Sequence, residues 1–166
     1  VADGLGDATG DVLVIADADV LCPGVGAAVA AVARGSVRWA VPHYRVHRLT
    51  EQATVRVLAG GPLPPDPGPH SIPPDRNAVW ESYKGTAGGG LVVLTRALYD
   101  RVPMDPRFLG WGQEDYAWGL ALLALAGRHY RSAAPLWHLW HPPPQRVKHG
   151  QPEGAATRLT RAIGNM

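Results

Sequence analysis

DVLVIADAD, residues 11–19, is the stretch around which the predicted fold is built. Its four consecutive apolar residues, Val12–Ile15, follow a Thr-Gly turn, and a short apolar run with β-branched residues predicts a buried β-strand. The strand ends at Asp17 and Asp19, whose alternation points both carboxylates to one side if the extended conformation continues. Because two neighbouring carboxylates are unfavourable without a cation between them, the stretch predicts a metal site at the carboxyl end of the strand. A strand followed by an Asp-rich turn without a metal remains the alternative.

The composition is that of one globular domain. The chain has 166 residues, of which 46% are hydrophobic and 18% charged, which is enough to build a single core and argues against disorder. A net charge of +2 argues against a nucleic-acid partner. No apolar run approaches the ~20 residues that a membrane span needs, and no signal peptide opens the chain. The single Cys22 fits a reducing compartment, so we expect a cytoplasmic protein.

The rest of the chain predicts helices alternating with strands. Residues 60–74 contain seven prolines and predict an exposed loop. The three consecutive glycines Gly88–Gly90 open a second apolar strand and indicate a close approach of the backbone to a ligand or another strand. The predicted helices span residues 23–34, 50–58, 95–101 and 116–126, and the further predicted strands span residues 37–46, 85–94 and 129–136.

A second acidic pair, Glu114 and Asp115, stands at the predicted start of a helix. Helix N-termini favour carboxylates, and this effect alone accounts for about one of the two acids. Trp111 lies between two glycines, which predicts an exposed indole that can serve as a platform for the apolar face of a sugar. A carboxylate beside such a platform is placed to accept a proton from a bound hydroxyl group.

Two histidines, His138 and His141, follow the last predicted strand in a His-x-x-His spacing, interleaved with Trp137 and Trp140. A single histidine beside aromatic residues is more often packed in the core than bound to a metal. The pair together with the aspartates suits a divalent metal, such as Mn²⁺ or Zn²⁺, that keeps open positions for substrate oxygens. The candidate metal ligands are therefore Asp17, Asp19, His138 and His141.

Taken together, these motifs resemble the glycosyltransferases of the GT-A fold, and especially their galactosyltransferase and N-acetylgalactosaminyltransferase group. That group carries a D-x-D motif, a W-G-G-E-D motif and a late histidine, which match residues 17–19, 111–115 and 138 in the same order. The resemblance covers about residues 1–142. It implies an α/β fold, with a Rossmann-related mixed sheet flanked by helices. The predicted catalytic domain spans residues 1–144, and a polar tail spans residues 145–166.

The resemblance also implies a donor site. Asp19 would bind Mn²⁺ or Mg²⁺ on the diphosphate of a nucleotide-sugar, and Asp17 would contact the metal, the ribose or the sugar. A late histidine would complete the metal shell, and His138 matches best, with His141 as the second choice. The donor-binding residues that we predict are Asp17, Asp19, Gly89 and Gly90.

The acceptor side follows from the same resemblance. Asp115 would be the catalytic base, and its neighbour Glu114 would contact the acceptor or the donor sugar. Trp111 and Gly112 would bind the acceptor. Gln113 stands where the family has a second glycine, which is a departure from the motif.

The implied reaction is the metal-dependent transfer of a hexose or N-acetylhexosamine from a nucleotide-diphosphate sugar to a saccharide or another hydroxyl acceptor, with inversion. Members of the family have further strands before the D-x-D strand, whereas only ten residues precede it here, so we expect a domain truncated at its N-terminus. We also expect an exposed apolar edge along Val12–Ile15. Two alternatives remain: a metal-dependent hydrolase, and a non-catalytic carbohydrate-binding or scaffold module of the same fold.

Overall fold

The computed structural model describes residues 7–71, 73, 75–108 and 113–142, and every structural statement below refers to these residues. They form eight strands and four helices, in a mixed α/β arrangement. In chain order the elements are β1 (Val12–Ala16), β2 (Val20–Leu21), α1 (Val25–Ala33), β3 (Trp39–Val41), β4 (Arg45–Leu49), α2 (Glu51–Leu58), β5 (Val79–Lys84), β6 (Leu91–Thr95), α3 (Arg96–Arg101), α4 (Glu114–Ala126), β7 (Tyr130–Arg131) and β8 (Pro135–His138).

The strands form two four-stranded sheets, and both sheets are mixed. The first has the order β1-β6-β3-β7 and the second the order β2-β8-β4-β5. Only β3–β7 and β4–β8 pair in parallel. The predicted α/β class with mixed strand pairing is confirmed at this level, but the strands are divided between two sheets and do not form one.

Two predicted strands are each divided in two. The strand predicted at residues 37–46 forms β3 in the first sheet and β4 in the second, and the strand predicted at 129–136 forms β7 and β8 in the same way. Pro42 follows β3 and has no N–H to donate to a strand neighbour, which favours a break there. The two breaks lie side by side, since the Tyr44 N–H donates to the Ala134 carbonyl at 2.9 Å.

Threonine N-caps begin two of the helices. The Thr50 hydroxyl accepts a hydrogen bond from the N–H of Ala53 at the start of α2, and Thr95 accepts one from Leu98 at the start of α3. A side-chain oxygen in this position satisfies one of the backbone donors that a helix leaves without a partner in its first turn. The threonines thereby fix where both helices begin.

The first strand is only half buried, so the prediction of a fully buried strand is wrong. Leu13 is 5% exposed and packs in the core with Trp39 and Leu94, whereas Val14 is 45% exposed. The reason is that β1 lies at the edge of its sheet and has β6 as its one strand neighbour among the described residues. The apolar edge expected along Val12–Ile15 is present.

No helix in the described ranges could cross a membrane, since the longest, α4, has 13 residues. The predicted domain boundary after residue 144 and the polar tail 145–166 lie outside the described residues.

Candidate functional site

A cleft of about 670 Å³ lies against one face of the second sheet. Val46 and Arg48 of β4 pair in parallel register with Leu136 and His138 of β8, so these four side chains share the face that lines the cleft. The cleft is also lined by residues next to the first sheet, namely Asp17 after β1, Gly89 and Gly90 before β6, and Asp115 in the first turn of α4. The cleft therefore brings the three sequence motifs to one place.

The two aspartates of the D-x-D motif leave the strand in different directions. Asp17 follows β1, and its N–H donates to the Gly90 carbonyl at 3.0 Å. Ala18 and Asp19 then form a turn, and β2 begins at Val20, so the extended conformation assumed in the sequence analysis does not continue. Asp17 lines the cleft, while the carboxylate of Asp19 approaches the end of β8.

Asp19, His138 and His141 form a cluster that could hold a metal ion. One oxygen of Asp19 lies 3.7 Å from His138 Nε2 and 3.4 Å from His141 Nε2, and the three candidate ligand atoms lie within 4.8 Å of one another. Ligands bound about 2.0–2.2 Å from a common metal lie about 3–4 Å apart, so little movement would be needed. The strand pairing of β2 with β8 produces this cluster, because Val20 pairs with His138 and the Leu139 N–H donates to the Asp19 carbonyl at 2.8 Å.

The hydrogen bonds of the two histidines suit metal binding. His138 Nδ1 lies 2.8 Å from the Leu139 carbonyl oxygen, and His141 Nδ1 lies 2.9 Å from the Pro142 carbonyl oxygen. A carbonyl oxygen only accepts, so each Nδ1 must carry the proton. In the neutral rings each Nε2 then keeps its lone pair directed at Asp19, which is the tautomer that a metal ligand needs.

Asp17 lies beside this cluster and not within it. Partial burial raises the pKa of its carboxyl group, the neighbouring charge of Asp19 raises it further, and His138 lowers it. Two carboxylates close together favour a cation near them, because a cation makes both charged forms more stable. The role of Asp17 as a direct ligand stays a prediction.

Asp115 lies at the start of α4, where the backbone of the glycine loop crosses the helix at a contact formed by glycines. A side chain on Gly88 would collide with the Asp115 carbonyl oxygen, and one on Gly119 would lie 2.7 Å from the Gly88 nitrogen. A side chain on Gly89 would lie 3.0 Å from Asp115 Oδ2. At Gly88 and Gly89 the close approach is thus to helix α4, where the prediction was a ligand or another strand, whereas Gly90 lies against Leu136 and His43. The Asp115 carboxyl group lines the cleft at this crossing.

The protonation of Asp115 is strongly perturbed. Burial is the largest cause, followed by the charges of Glu114 and Asp17, and together they raise the pKa of Asp115 to about 7. A carboxyl group with a pKa near 7 can take up a proton during a reaction and release it afterwards at neutral pH. Glu114 does not line the cleft, and its Oε2 is buried without a hydrogen-bond partner among the described residues.

Part of the second motif lies outside the described residues, namely Trp111 and Gly112, so their predicted acceptor contacts stay predictions. Gln113 is described and has φ 71°, in the left-handed region that favours glycine. The residue at which the chain departs from the motif therefore adopts a glycine-like conformation immediately before α4.

The loop between β5 and the glycines is held by a half-buried arginine. Arg131 donates hydrogen bonds to the carbonyl oxygens of His43, Gly85 and Thr86 at 3.2–3.3 Å. The buried His43 ring packs so closely on this loop that a side chain on Gly85 would lie 2.6 Å from its Nε2. Burial and the charge of Arg131 lower the pKa of His43 to about 4, so it is neutral at neutral pH.

The sequence analysis missed one wall of the cleft, formed by Arg48, Trp80 and Tyr83. The two aromatic residues belong to β5, which was not predicted. Its sequence, VWESYK, contains valine and aromatic residues that favour strands, so a signal was available. Residues 59–78 separate this strand from α2, and sequence spacing alone did not connect it to the other motifs.

Comparison with known proteins adds no relative: no family model, no curated protein and no solved structure matches the chain. The functional inference therefore depends on the residues that line and flank the cleft.

Proposed function

We propose that the chain is a metal-dependent glycosyltransferase that moves a hexose or N-acetylhexosamine from a nucleotide-diphosphate sugar to a hydroxyl acceptor. One observation carries the proposal: His138 and His141, which form the candidate metal cluster with Asp19, line the same cleft as Asp115, a carboxyl group whose pKa is raised to about 7. The assignment of the two mixed sheets to the GT-A fold, and of the chain to the galactosyltransferase group, belongs to the same proposal.

The donor atoms fit a hard to borderline divalent cation such as Mn²⁺. One carboxylate and two imidazoles leave several coordination positions free for phosphate oxygens. A divalent cation bound there would supply charge stabilisation to a nucleoside diphosphate as the sugar departs. Asp17 would bind the metal or the sugar from the adjoining side of the cleft.

Asp115 would act on the acceptor. The acceptor oxygen attacks the anomeric carbon and forms the new glycosidic bond, while the bond from that carbon to the phosphate oxygen breaks and its electron pair leaves with the nucleoside diphosphate. The acceptor proton passes to the Asp115 carboxylate. Attack opposite to the leaving phosphate gives inversion, and proton transfer of this kind contributes roughly 10²–10⁴-fold to the rate.

The test separates the two halves of the site. Titration calorimetry would measure binding of UDP, GDP and their sugars with and without Mn²⁺, and a panel of acceptors would then be assayed for nucleotide release. We expect Asp19→Ala to abolish metal-dependent nucleotide binding, and Asp115→Asn to retain binding and lose at least 100-fold in turnover. His70→Ala, at an exposed histidine outside the cluster, should behave like the unmodified protein. Equal loss of binding in the Asp19 and Asp115 variants would contradict the assigned roles.

A metal-dependent hydrolase is the second candidate, because two histidines and one carboxylate with open positions are also the ligands of hydrolytic zinc sites. Hydrolysis of simple phosphate esters, with no consumption of nucleotide-sugars, would favour it. Absence of any metal-dependent nucleotide binding would favour a non-catalytic module.

A further inference from the structure

We infer that the wall formed by Arg48, Trp80 and Tyr83, together with the Glu81 carboxylate that pairs with Arg48, is a saccharide-binding subsite, with a pyranose ring laid against the indole of Trp80. The inference names the acceptor class for the proposed function and in that respect depends on it. The wall belongs to β4 and β5: Trp80 and Tyr83 lie on the edge strand β5, and Arg48 lies on β4 beside His138 of β8.

The first argument is the exposure of a large aromatic residue inside a cleft. Trp80 is 56% exposed, although it lines the cleft together with Val46 and Leu136. The register of β4 with β5 shifts between Arg48 and Leu49, and Trp80 is the residue of β5 that has no partner in the ladder. A bulge re-aims a side chain, and such bulges are common beside binding sites.

The second argument is the polar group beside the indole. Arg48 lies over the rings of Trp80 and Tyr83, 5.6 and 5.4 Å from their centres, and its Nη1 lies 3.1 Å from a carboxylate oxygen of Glu81. Arg48 Nε is buried and has no hydrogen-bond partner among the described residues. The pair thus offers both N–H donors and carboxylate acceptors next to an apolar aromatic face.

This combination fits a sugar better than a phosphate. Glu81 neutralises Arg48, so the wall lacks the free positive charge that would attract a diphosphate. A hydroxyl group both donates and accepts, and can bond to the Arg48 N–H groups and to the Glu81 carboxylate at once. The C–H face of a pyranose ring is apolar and can cover the indole.

The position also suits an acceptor. The order of the second sheet puts two strand spacings, about 10 Å, between β8, which carries His138, and β5, which carries Trp80. Asp115 lines the same cleft. A saccharide on Trp80 can therefore extend towards Asp115 while a donor occupies the metal side.

Binding of saccharides without any reaction tests the inference. Saturation-transfer NMR and calorimetry would measure binding of oligosaccharides of hexoses, N-acetylhexosamines and hexuronic acids, first alone and then with Mn²⁺ and UDP. We expect at least one of them to bind the unmodified protein, and Trp80→Ala to weaken that binding about 10-fold, with Trp80→Phe restoring most of it.

Two further variants make the test specific. Arg48→Lys keeps the charge next to Glu81 but removes the Nε–H donor, and should weaken saccharide binding about 5-fold. Tyr130→Ala removes another exposed aromatic ring, which lies on β7 and does not line the cleft, and should leave binding unchanged.

The outcomes separate this inference from the proposed function. Saccharide binding that depends on Trp80, without metal-dependent nucleotide binding, would support the subsite and contradict the transferase. No saccharide binding by the unmodified protein, or equal binding by Trp80→Ala, would overturn the subsite whatever the nucleotide does. Loss of UDP binding in Trp80→Ala with saccharide binding intact would mean that the indole stacks on the nucleobase, which also overturns the inference.

Discussion

At the scale of a single residue, Asp115 is a carboxyl group held where its charge is unfavourable. Its folded-state pKa is raised to about 7 by burial, by Glu114 and by Asp17. When a carboxyl group has a higher pKa in the folded than in the unfolded chain, its contribution to the free energy of unfolding is fully present below the unfolded pKa, about 4. The contribution is lost as the pH rises from there through the folded pKa, about 7.

We therefore predict that Asp115→Asn stabilises the metal-free protein at pH 8 and leaves its stability little changed at pH 4. The gain at pH 8 should not exceed about 4 kcal/mol, which is the equivalent of a shift of about 3 pKa units at 1.36 kcal/mol each. Urea denaturation at both pH values measures it. The control is Asp100→Asn, which removes an exposed carboxylate from α3. An Asp115 variant that is no more stable at pH 8 than the unmodified protein would mean that the carboxylate is not disfavoured there.

The site residues that could be predicted from the sequence are those whose partners in the site lie close to them in the chain. His138 and His141 follow one strand three positions apart, and the D-x-D spacing keeps Asp19 within a short turn, so their chemistry could be predicted from composition and spacing. Trp80 and Arg48 could not be connected in this way, because their contact depends on the pairing of two strands and on an irregularity in that pairing. No short stretch of sequence determines the register between two strands that are far apart in the chain.

At the scale of elements, the crossing of the glycine loop and α4 decides where Asp115 lies. Gly88 and Gly119 face each other with no room for a Cβ atom on either side. Two backbones can approach this closely only when both residues lack a side chain. The apolar helix α4 is thereby held against β6 at its N-terminal half, next to the cleft.

We predict that Gly119→Ala destabilises the fold by at least about 2 kcal/mol, even though alanine favours helices, because its Cβ would overlap the Gly88 nitrogen. Gly26→Ala is the matched control, since Gly26 lies in α1 with nothing within 4 Å of an added Cβ atom. That substitution should stabilise by about 0.5–1 kcal/mol. Thermal and urea unfolding compare the two variants, and a gain of stability in both would mean that α4 does not pack on the glycine loop.

The elements themselves were predictable to different degrees. The four helices were predicted with their positions, because caps such as Thr50 and Thr95 and glycine stops are local signals. The stretches at 37–46 and 129–136 did not reveal that the chain changes sheets within each of them. Pro42 marks one break, but the other has no comparable local signal, and the exposed Tyr130 and buried Leu136 on its two sides do not show to which sheet each part belongs.

At the scale of the whole molecule, the candidate metal cluster joins the two sheets. Asp19 lies in the turn that leads from β1 of the first sheet to β2 of the second, and His138 ends β8 in the second sheet. The residues that line the cleft likewise come from both sheets, with Asp17 after β1 and Arg48 on β4. A cation at the cluster would therefore reinforce a junction that the pairing of β2 with β8 and the hydrogen bond from the Leu139 N–H to the Asp19 carbonyl oxygen already make.

We predict from this arrangement that Mn²⁺ raises the thermal unfolding temperature of the protein. A ligand at about 100 times its Kd that binds only the folded state adds about 2.7 kcal/mol of stability, which for a domain of this size corresponds to about 5–10 °C. Differential scanning fluorimetry with Mn²⁺ and then with EDTA should show the rise and its reversal. Asp19→Asn should lose the rise because it removes the one carboxylate ligand, whereas His70→Ala, outside the cluster, should keep it. If Mn²⁺ still raises the unfolding temperature of Asp19→Asn, the ion binds elsewhere. The two histidines without the carboxylate offer no charge to balance the cation, and they do not connect to the first sheet.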